Sequence, residues 1–224
     1  MTTVRDVIDW LGEVTPETDY SCQTEDLLTE LKFPTIVDPG FEFGVSFVDK
    51  NQYSYDQFLQ TARDSKSPLI IYSRFVFEMV CRKFFSHQKG TITIPNSAKI
   101  HPSAVIGKDG FGFTWDDEGV PYQLTHFGGV HIGKRCSIGA NTVVDKGYLR
   151  ETFLCEDVKI DNHVHVAHGV HIGARTCIAA HAMLGGSVWV GEDVWIGPSA
   201  SIKEGVKIGD GAYIGIGSNV LTDV

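Results

Sequence analysis

The sequence predicts an α+β domain over residues 1–92, followed by a parallel β-helix of hexapeptide repeats over residues 93–224. The main observation is an aliphatic residue at every sixth position from residue 160 to residue 220, without exception. The next position is mostly Gly or Ala, and the fifth is small or β-branched. In a parallel β-helix, three such hexads make one coil and the aliphatic side chains point into the core. These predicted core residues are Ile160, Val166, Ile172, Ile178, Leu184, Val190, Ile196, Ile202, Ile208, Ile214 and Val220.

The same repeat extends back to Ile94, with two interruptions. Its earlier members are Ile94, Ile100, Ile106, Ile132, Ile138 and Val144. The step from Val144 to Leu154 is longer than one hexad, which predicts a bulge or loop within "KGYLRETF". Between Ile106 and Ile132 lies a long segment rich in glycine and aromatic residues. Because long loops in compact domains are usually functional, we expect this segment to take part in function.

Residues 1–92 lack the six-residue period and are expected to form a separate domain. A helical period is plausible in residues 4–11, 55–62 and 75–85. The segments "FGVSFV" and "PLIIYS" have the composition of strands. This mixture predicts an α/β domain before the β-helix.

Composition excludes several classes of protein. The formal net charge of -9 argues against a general nucleic-acid binder, because no basic field would attract phosphates. The five cysteines are scattered and form no tight pair, which is typical of reduced thiols in a cytoplasm. No apolar run approaches the roughly 18 residues that a membrane span requires. We therefore expect a soluble cytoplasmic protein.

Four motifs make the function more specific. They are "DGFGF" (109–113), "IGANTVVDKG" (138–147), "KIDNHVHVAHGV" (159–170) and "GGS" (185–187). In order and spacing they resemble the UDP-3-O-acylglucosamine N-acyltransferases of lipid A synthesis. The resemblance implies a left-handed β-helix, an exception to the usual right-handed crossover rule. It also implies a homotrimer with active sites between neighbouring subunits.

Transfer of an acyl group from a thioester to an amine needs a base for the proton and a donor for the oxyanion. His168 aligns with the histidine assigned as general base in the resembling family, and the pKa of imidazole lies near cellular pH. Gly186 follows one coil later, so we expect it to stack beside His168 and to offer its N–H to the oxyanion. Asp161 and Asn162 are expected to orient the imidazole or the sugar. The other histidines of this region are expected to be structural: His163, His165, His171 and His181.

Substrate contacts are expected in both domains. "SFVDKNQY" resembles the family's uridine-binding segment, in which Phe47 and Tyr53 would sandwich the pyrimidine. Lys50 stands where the family usually has Asn, so a UDP or a dTDP sugar is possible. Further substrate contacts are expected from three residues in or near the long loop: Phe111, Phe113 and His126.

The acyl donor is expected to be acetyl-CoA. The segment "SIKEGVKI" has no histidine where the family has a second, donor-side histidine, and only "VLTDV" follows the last hexad. The negative net charge also disfavours an acidic acyl carrier protein, which we expect not to be a partner. Trp189, Trp195 and Lys203 are the expected coenzyme A contacts. The product would be an N-acetylated nucleotide sugar for a bacterial surface polysaccharide, such as the O-antigen of lipopolysaccharide.

Three alternatives stay open at this point. The first is the carrier-protein-dependent UDP-3-O-acylglucosamine N-acyltransferase of lipid A synthesis itself. The second is a zinc enzyme resembling γ-carbonic anhydrase, with ligands drawn from His163, His168 and His126. The third is a solenoid that acts only as a scaffold. The interpretation that we prefer is N-acyl transfer without a metal.

Overall fold

The computed structural model describes residues 90–116 and 118–224, Arg82, and the backbone of four short strands in the N-terminal part. These strands are β1 (Tyr20–Cys22), β2 (Thr35–Ile36), β3 (Val45–Phe47) and β4 (Leu69–Ile71). They form one sheet in the order β1-β4-β3-β2, in which only the β1–β4 pair is antiparallel. The helices predicted in this part fall almost wholly outside the described residues, so the α+β domain stays a prediction.

The contacts divide the chain into two compact units. The first comprises residues 1–88 and 112–125, and the second comprises residues 89–111 and 126–224. Within residues 112–125, a hairpin pairs β8 (Phe113–Trp115) with β9 (Pro121–Gln123). The long loop predicted between Ile106 and Ile132 therefore contains a segment that belongs to the first unit.

The second unit is a parallel β-helix with three six-stranded sheets. The first face contains β5 (Ile92–Thr93), β10 (Val130–Ile132), β13 (Thr152–Leu154), β16 (His171–Ile172), β19 (Trp189–Val190) and β22 (Lys207–Ile208). The second contains β6 (Lys99–Ile100), β11 (Ser137–Ile138), β14 (Lys159–Ile160), β17 (Cys177–Ile178), β20 (Trp195–Ile196) and β23 (Tyr213–Ile214). The third contains β7 (Val105–Lys108), β12 (Val143–Asp145), β15 (His165–Val166), β18 (Met183–Leu184), β21 (Ser201–Ile202) and β24 (Asn219–Val220).

The hexad residues form the core of the β-helix, as predicted. All eleven aliphatic positions from Ile160 to Val220 are buried, and most of the small or β-branched fifth positions join the same cluster. The earliest member, Ile94, is 43% exposed because it lies in the first coil, where only one neighbouring coil covers it. The burial of one aliphatic residue per strand is the main stabilising interaction of this unit.

The pairing register confirms the two interruptions. Ile172 pairs with Leu154, 18 residues earlier, whereas Leu154 pairs with Ile132, 22 residues earlier. The four extra residues fall between β12 and β13. His131 pairs with Thr93 across 38 residues, because the excursion to the first unit lies between them. Both insertions occur at the same corner, between the third face and the first.

The turns use a left-handed backbone conformation that non-glycine residues seldom adopt. Among the described residues, nine non-glycine residues have φ between 56° and 62°, and they include Arg135, Asp157, Arg175 and Asp193. These four stack along one corner, where Arg135 forms an ion pair with Asp157 and Arg175 with Asp193. The hydrogen bonds to each arginine lower the pKa of the paired aspartate.

Substitution of a core residue should be far more destabilising than the same change on the surface. Ile172→Ala removes a side chain that is 0% exposed and leaves a cavity, which typically costs about 2–5 kcal/mol. Ile216→Ala is the matched control because Ile216 is 78% exposed, and such surface changes are usually within about 0.5 kcal/mol. Unfolding in guanidinium chloride measures both. Equal midpoints for the two variants would contradict the assigned core.

Candidate functional site

His168 lies at the corner between β15 and β16, in the third position of its hexad. The strands before this corner pair in register from coil to coil: Val144 with Val166, Val166 with Leu184, and Leu184 with Ile202. The residues two positions further on therefore form one column, which we call the His168 corner. Its members are Lys146, His168, Gly186 and Glu204.

The imidazole of His168 packs directly on Gly186. A Cβ atom at Gly186 would lie 2.5 Å from Cε1 and 2.7 Å from Nε2 of His168, closer than real Cβ contacts allow. Only glycine is therefore compatible with this ring position. The stacking that the repeat length predicts for His168 and Gly186 is present in the structure.

Gly186 is buried, and within the described part of the chain its N–H is not paired as its counterparts at other corners are. Ala140 and Glu192 occupy the same hexad position at two other corners, and each donates its backbone N–H to a side chain of the following coil. The acceptor is Asn162 Oδ1 for Ala140, at 2.7 Å, and Asp210 Oδ1 for Glu192, at 2.8 Å. Among the residues that the structure describes, no acceptor meets the N–H of Gly186. A backbone donor beside an imidazole is suited to an oxyanion.

Three further residues surround His168 on the other side. The ring of His126 is 1% exposed and meets the ring of His168 edge to face, with centroids 5.3 Å apart. Tyr148, from the four-residue insertion, also meets the ring of His126 edge to face, with centroids 5.7 Å apart. A Cβ atom at Gly110 would lie 2.9 Å from His126 Nε2 and 3.2 Å from His168 Cβ. The "DGFGF" motif thus brings its backbone against both imidazoles.

Asp109 and Lys146 form an ion pair beside these rings. Lys146 Nζ lies 3.0 Å from Asp109 Oδ1, which also accepts the backbone N–H of His126 at 3.2 Å. Partial burial alone would raise the pKa of the Asp109 carboxyl. The hydrogen bond and charge of Lys146, with the His126 N–H, outweigh that effect and hold this pKa below its ordinary value. Asp109 is therefore an anion at neutral pH.

A second ion pair lies next to the first. Asp145 is 1% exposed, and Lys108 Nζ lies 2.7 Å from its Oδ1, although the geometry is not that of a directed hydrogen bond. His165 Nε2 approaches the other carboxylate oxygen at 3.8 Å. His165, expected to be structural, thus belongs to a charged cluster three residues before His168.

Asp161 and Asn162 do not contact His168 within one chain. They lie at the preceding corner, between β14 and β15, and a whole strand of the third face separates them from His168. Asp161 Oδ1 accepts the N–H of Asn162 at 2.7 Å, and Asn162 in turn binds Ala140. Their expected role in orienting the imidazole or the sugar, at an active site between neighbouring subunits, stays a prediction.

The remaining histidines form stacks on the surface. At the corner of Asp161 and Asn162, the ring of His163 stacks on His181 at 4.9 Å, away from the His168 ring. On the first face, His171 stacks on Trp189 at 3.8 Å, and burial lowers the pKa of His171. Within residues 90–116 and 118–224, no three His, Cys, Asp or Glu side chains gather as a metal site would require. The zinc alternative gains no support from these positions.

The other predicted site residues are dispersed. Phe111 is 87% exposed, and Phe113 lies in β8 of the first unit. Trp195 lines a groove of about 280 Å³ on the second face, together with Lys159 and Cys177. Lys203 is exposed at the turn after β21. Of the proposed pyrimidine-binding residues, only the backbone of Phe47 is described, and Lys50 and Tyr53 lie outside the described residues.

Comparisons with known proteins agree with this architecture. Residues 151–186 and 187–222 match the bacterial transferase hexapeptide (six repeats), and residues 125–146 match the hexapeptide repeat of succinyl-transferase. These matches support the left-handed β-helix that the motifs imply. In the part of the chain that the structure describes, no helix has the length and apolar character to cross a membrane.

The chain also resembles curated acyltransferases over a limited stretch. The UDP-3-O-acylglucosamine N-acyltransferase of Xanthomonas oryzae pv. oryzae is 48% identical over 77 residues, which are 34% of this chain and 23% of that protein. The enzyme of the same name from Xanthomonas euvesicatoria pv. vesicatoria is 54% identical over 69 residues, or 31% and 20% of the two chains. The chain thus spans less than a quarter of the length of these relatives. These matches confirm the resemblance inferred from the four motifs.

Among solved structures, the chain is similar to the UDP-N-acetylglucosamine acyltransferase of Francisella novicida. Its sequence identity is 18% and its TM-score is 0.46. The superposition covers 59% of this chain and 62% of that chain.

A methyl group at Gly186 should displace the His168 ring without unfolding the protein. In Gly186→Ala the clash is with a side chain that can rotate, so we expect a thermal midpoint near that of the wild type and shifted His168 imidazole signals in histidine-labelled NMR spectra. Gly215→Ala is the control, because its Cβ would meet only Ser218 Oγ, at 3.6 Å. Unchanged His168 signals in Gly186→Ala would contradict the packing described above.

Proposed function

We propose that this chain transfers an acyl group from a thioester to the amine of a nucleotide-linked amino sugar. The observation that carries the proposal is the direct packing of the His168 imidazole on Gly186, whose N–H has no acceptor among the described residues. This pair supplies a base and an oxyanion donor within one column of the β-helix. The identity with curated N-acyltransferases over the matched segments supports the same chemistry.

The proposed reaction has two steps. The sugar amine attacks the thioester carbonyl, and the new C–N bond forms as the carbonyl oxygen becomes an oxyanion that accepts the N–H of Gly186. His168 takes the proton that the amine loses. The intermediate then expels the thiolate, which receives that proton from His168 and leaves as a thiol. The products are an amide and a free thiol, and no other reactant is needed.

Two forms of this proposal differ in the acyl donor and in the sugar that is acylated. The sequence favours acetyl-CoA, with Trp189, Trp195 and Lys203 as contacts, and Trp195 does line a groove beside Lys159. The names of the curated relatives favour the alternative, N-acylation of UDP-3-O-acylglucosamine. We therefore propose the UDP-3-O-acylglucosamine reaction as the first candidate and acetyl transfer as the second. The expectation that an acyl carrier protein is not a partner has no support from the comparisons.

The other elements of the proposal concern assembly and substrate binding. Asp161 and Asn162 lie one corner away from His168, so a second copy of the chain, as in a homotrimer, would be needed to bring such a pair to the site. The N-terminal domain is proposed to bind the nucleotide through Phe47 and Tyr53. The protein is proposed to act in the cytoplasm, where nucleotide sugars are available.

Truncation of the proposed pyrimidine sandwich should weaken substrate binding. Phe47→Ala and Tyr53→Ala should each raise KM for the nucleotide sugar by about fivefold, because each removes a stacking contact of order 1 kcal/mol, whereas kcat should change little. Steady-state kinetics with the sugar as the varied substrate measures this. If the residues belong to a domain core instead, both variants lose thermal stability and KM stays unchanged.

Loss of the proposed base should remove turnover and preserve the fold. His168→Ala should lower kcat by roughly 10²–10⁴. Lys134→Ala is the control, because Lys134 is exposed in the turn between β10 and β11, at a corner to which the proposal assigns no role. Acetyl-CoA and long-chain acyl carrier protein are supplied in parallel to UDP- and dTDP-linked amino sugars, and the mass of the sugar product is read. Near-normal turnover in His168→Ala would overturn the mechanism, and no transfer from either donor to any sugar would overturn the function.

A further inference from the structure

The Asp109 carboxylate joins three segments that are distant in sequence. Asp109 follows β7, just before the chain leaves the second unit. Its Oδ1 accepts the backbone N–H of His126, the first residue after the chain returns to that unit. The same oxygen binds the ammonium of Lys146, which lies one coil before His168 in the His168 corner. The ion pair of Asp109 and Lys146 thus lies where the two ends of the segment 112–125 join the second unit.

The contacts of Asp109 with Lys146 and His126 determine which groups surround the His168 ring. Gly110 follows Asp109 directly, and its Cα lies against the imidazoles of both His126 and His168. His126 is buried and contacts the rings of both Tyr148 and His168, and its Nδ1 lies 3.9 Å from Asp109 Oδ1. A shift of Asp109 would therefore move Gly110 and His126 together, and both are in contact with the His168 ring.

We propose that Lys146 is a positioning residue for the reaction, which acts through Asp109 to fix His126 and Gly110 against the His168 imidazole. This inference rests on the proposed function, in which His168 is the base. Lys146 itself holds no reacting atom in this proposal, because its ammonium is already committed to Asp109.

The pair has the properties that such a role requires. Exposed ion pairs usually contribute little to stability, but the Lys146 side chain is only 19% exposed and its partner also accepts a backbone N–H. The pKa of Asp109 is held below its ordinary value, so the pair is fully formed at neutral pH and is lost only as the pH falls through that lowered pKa. Geometry within the site is critical, since a displacement of about 1 Å can cost on the order of 10² in rate.

The test combines kinetics with a signal that does not depend on turnover. Lys146→Met and Asp109→Asn are compared with Lys134→Met, which removes an exposed lysine from the turn between β10 and β11. Lys146→Arg keeps the positive charge and serves as the conservative variant. The side-chain NMR signals of His126 and His168 report the site, and those of the His163–His181 stack serve as an internal reference.

The proposal expects shifted His126 and His168 signals in Lys146→Met and Asp109→Asn, with the His163 and His181 signals unchanged. It also expects kcat to fall by about ten- to a hundredfold with little change in KM, and largely to recover in Lys146→Arg. Unchanged His126 and His168 signals in a folded Lys146→Met would overturn it, as would equal kcat in the Lys146→Met and Lys134→Met variants.

The same experiment separates this inference from the proposed function. A wild-type protein that acylates no amino sugar would overturn the function, while the NMR comparison would still decide whether Lys146 positions the His168 ring. If Lys146→Met does not fold, Asp109→Asn decides the question, because Asn retains an oxygen for the His126 N–H and removes only the charge that Lys146 binds.

Discussion

The fixed register between successive coils is the constraint on which the candidate site depends. Because each strand pairs with the strand one coil later, residues at one hexad position form a straight column along the β-helix. His168 and Gly186 are neighbours for this reason alone. The core side chains that enforce the register, such as Val166 and Leu184, are wholly buried two residues before each of them. Packing in the core therefore sets the distance between the proposed base and the proposed oxyanion donor.

The part of the structure that obeys the repeat could be predicted from the sequence. The buried hexad residues, the four-residue insertion and the contact between His168 and Gly186 all follow from counting in sixes. Asp161 and Asn162 lie one corner away from His168, although they are only seven and six positions before it in sequence, because a strand separates them. Sequence proximity is a poor guide in a β-helix, whereas a separation of one coil is a good one.

The contacts on the other side of His168 could not be predicted in this way. Asp109, Gly110 and His126 flank the excursion to the first unit, and Tyr148 lies in the shorter insertion, so no repeat length relates them to His168. The motif "DGFGF" and the segment "KGYLRETF" indicated these regions, but their meeting at one corner depends on the conformation of the two insertions. The repeat thus supplies Lys146, the proposed base and the proposed oxyanion donor, and the segments beside the insertions supply Asp109, which pairs with Lys146, and the rings of His126 and Tyr148.

The proposed mechanism requires the reacting carbonyl to bind at the N–H of Gly186. A crystal structure of the protein with an unreactive ketone analogue of the acyl thioester measures the distance from the Gly186 amide nitrogen to the carbonyl oxygen. We expect this distance to be about 2.7–3.1 Å, with the His168 imidazole facing the carbonyl carbon. A carbonyl bound at another corner of the β-helix, beyond hydrogen-bonding distance of the Gly186 N–H, would contradict the account.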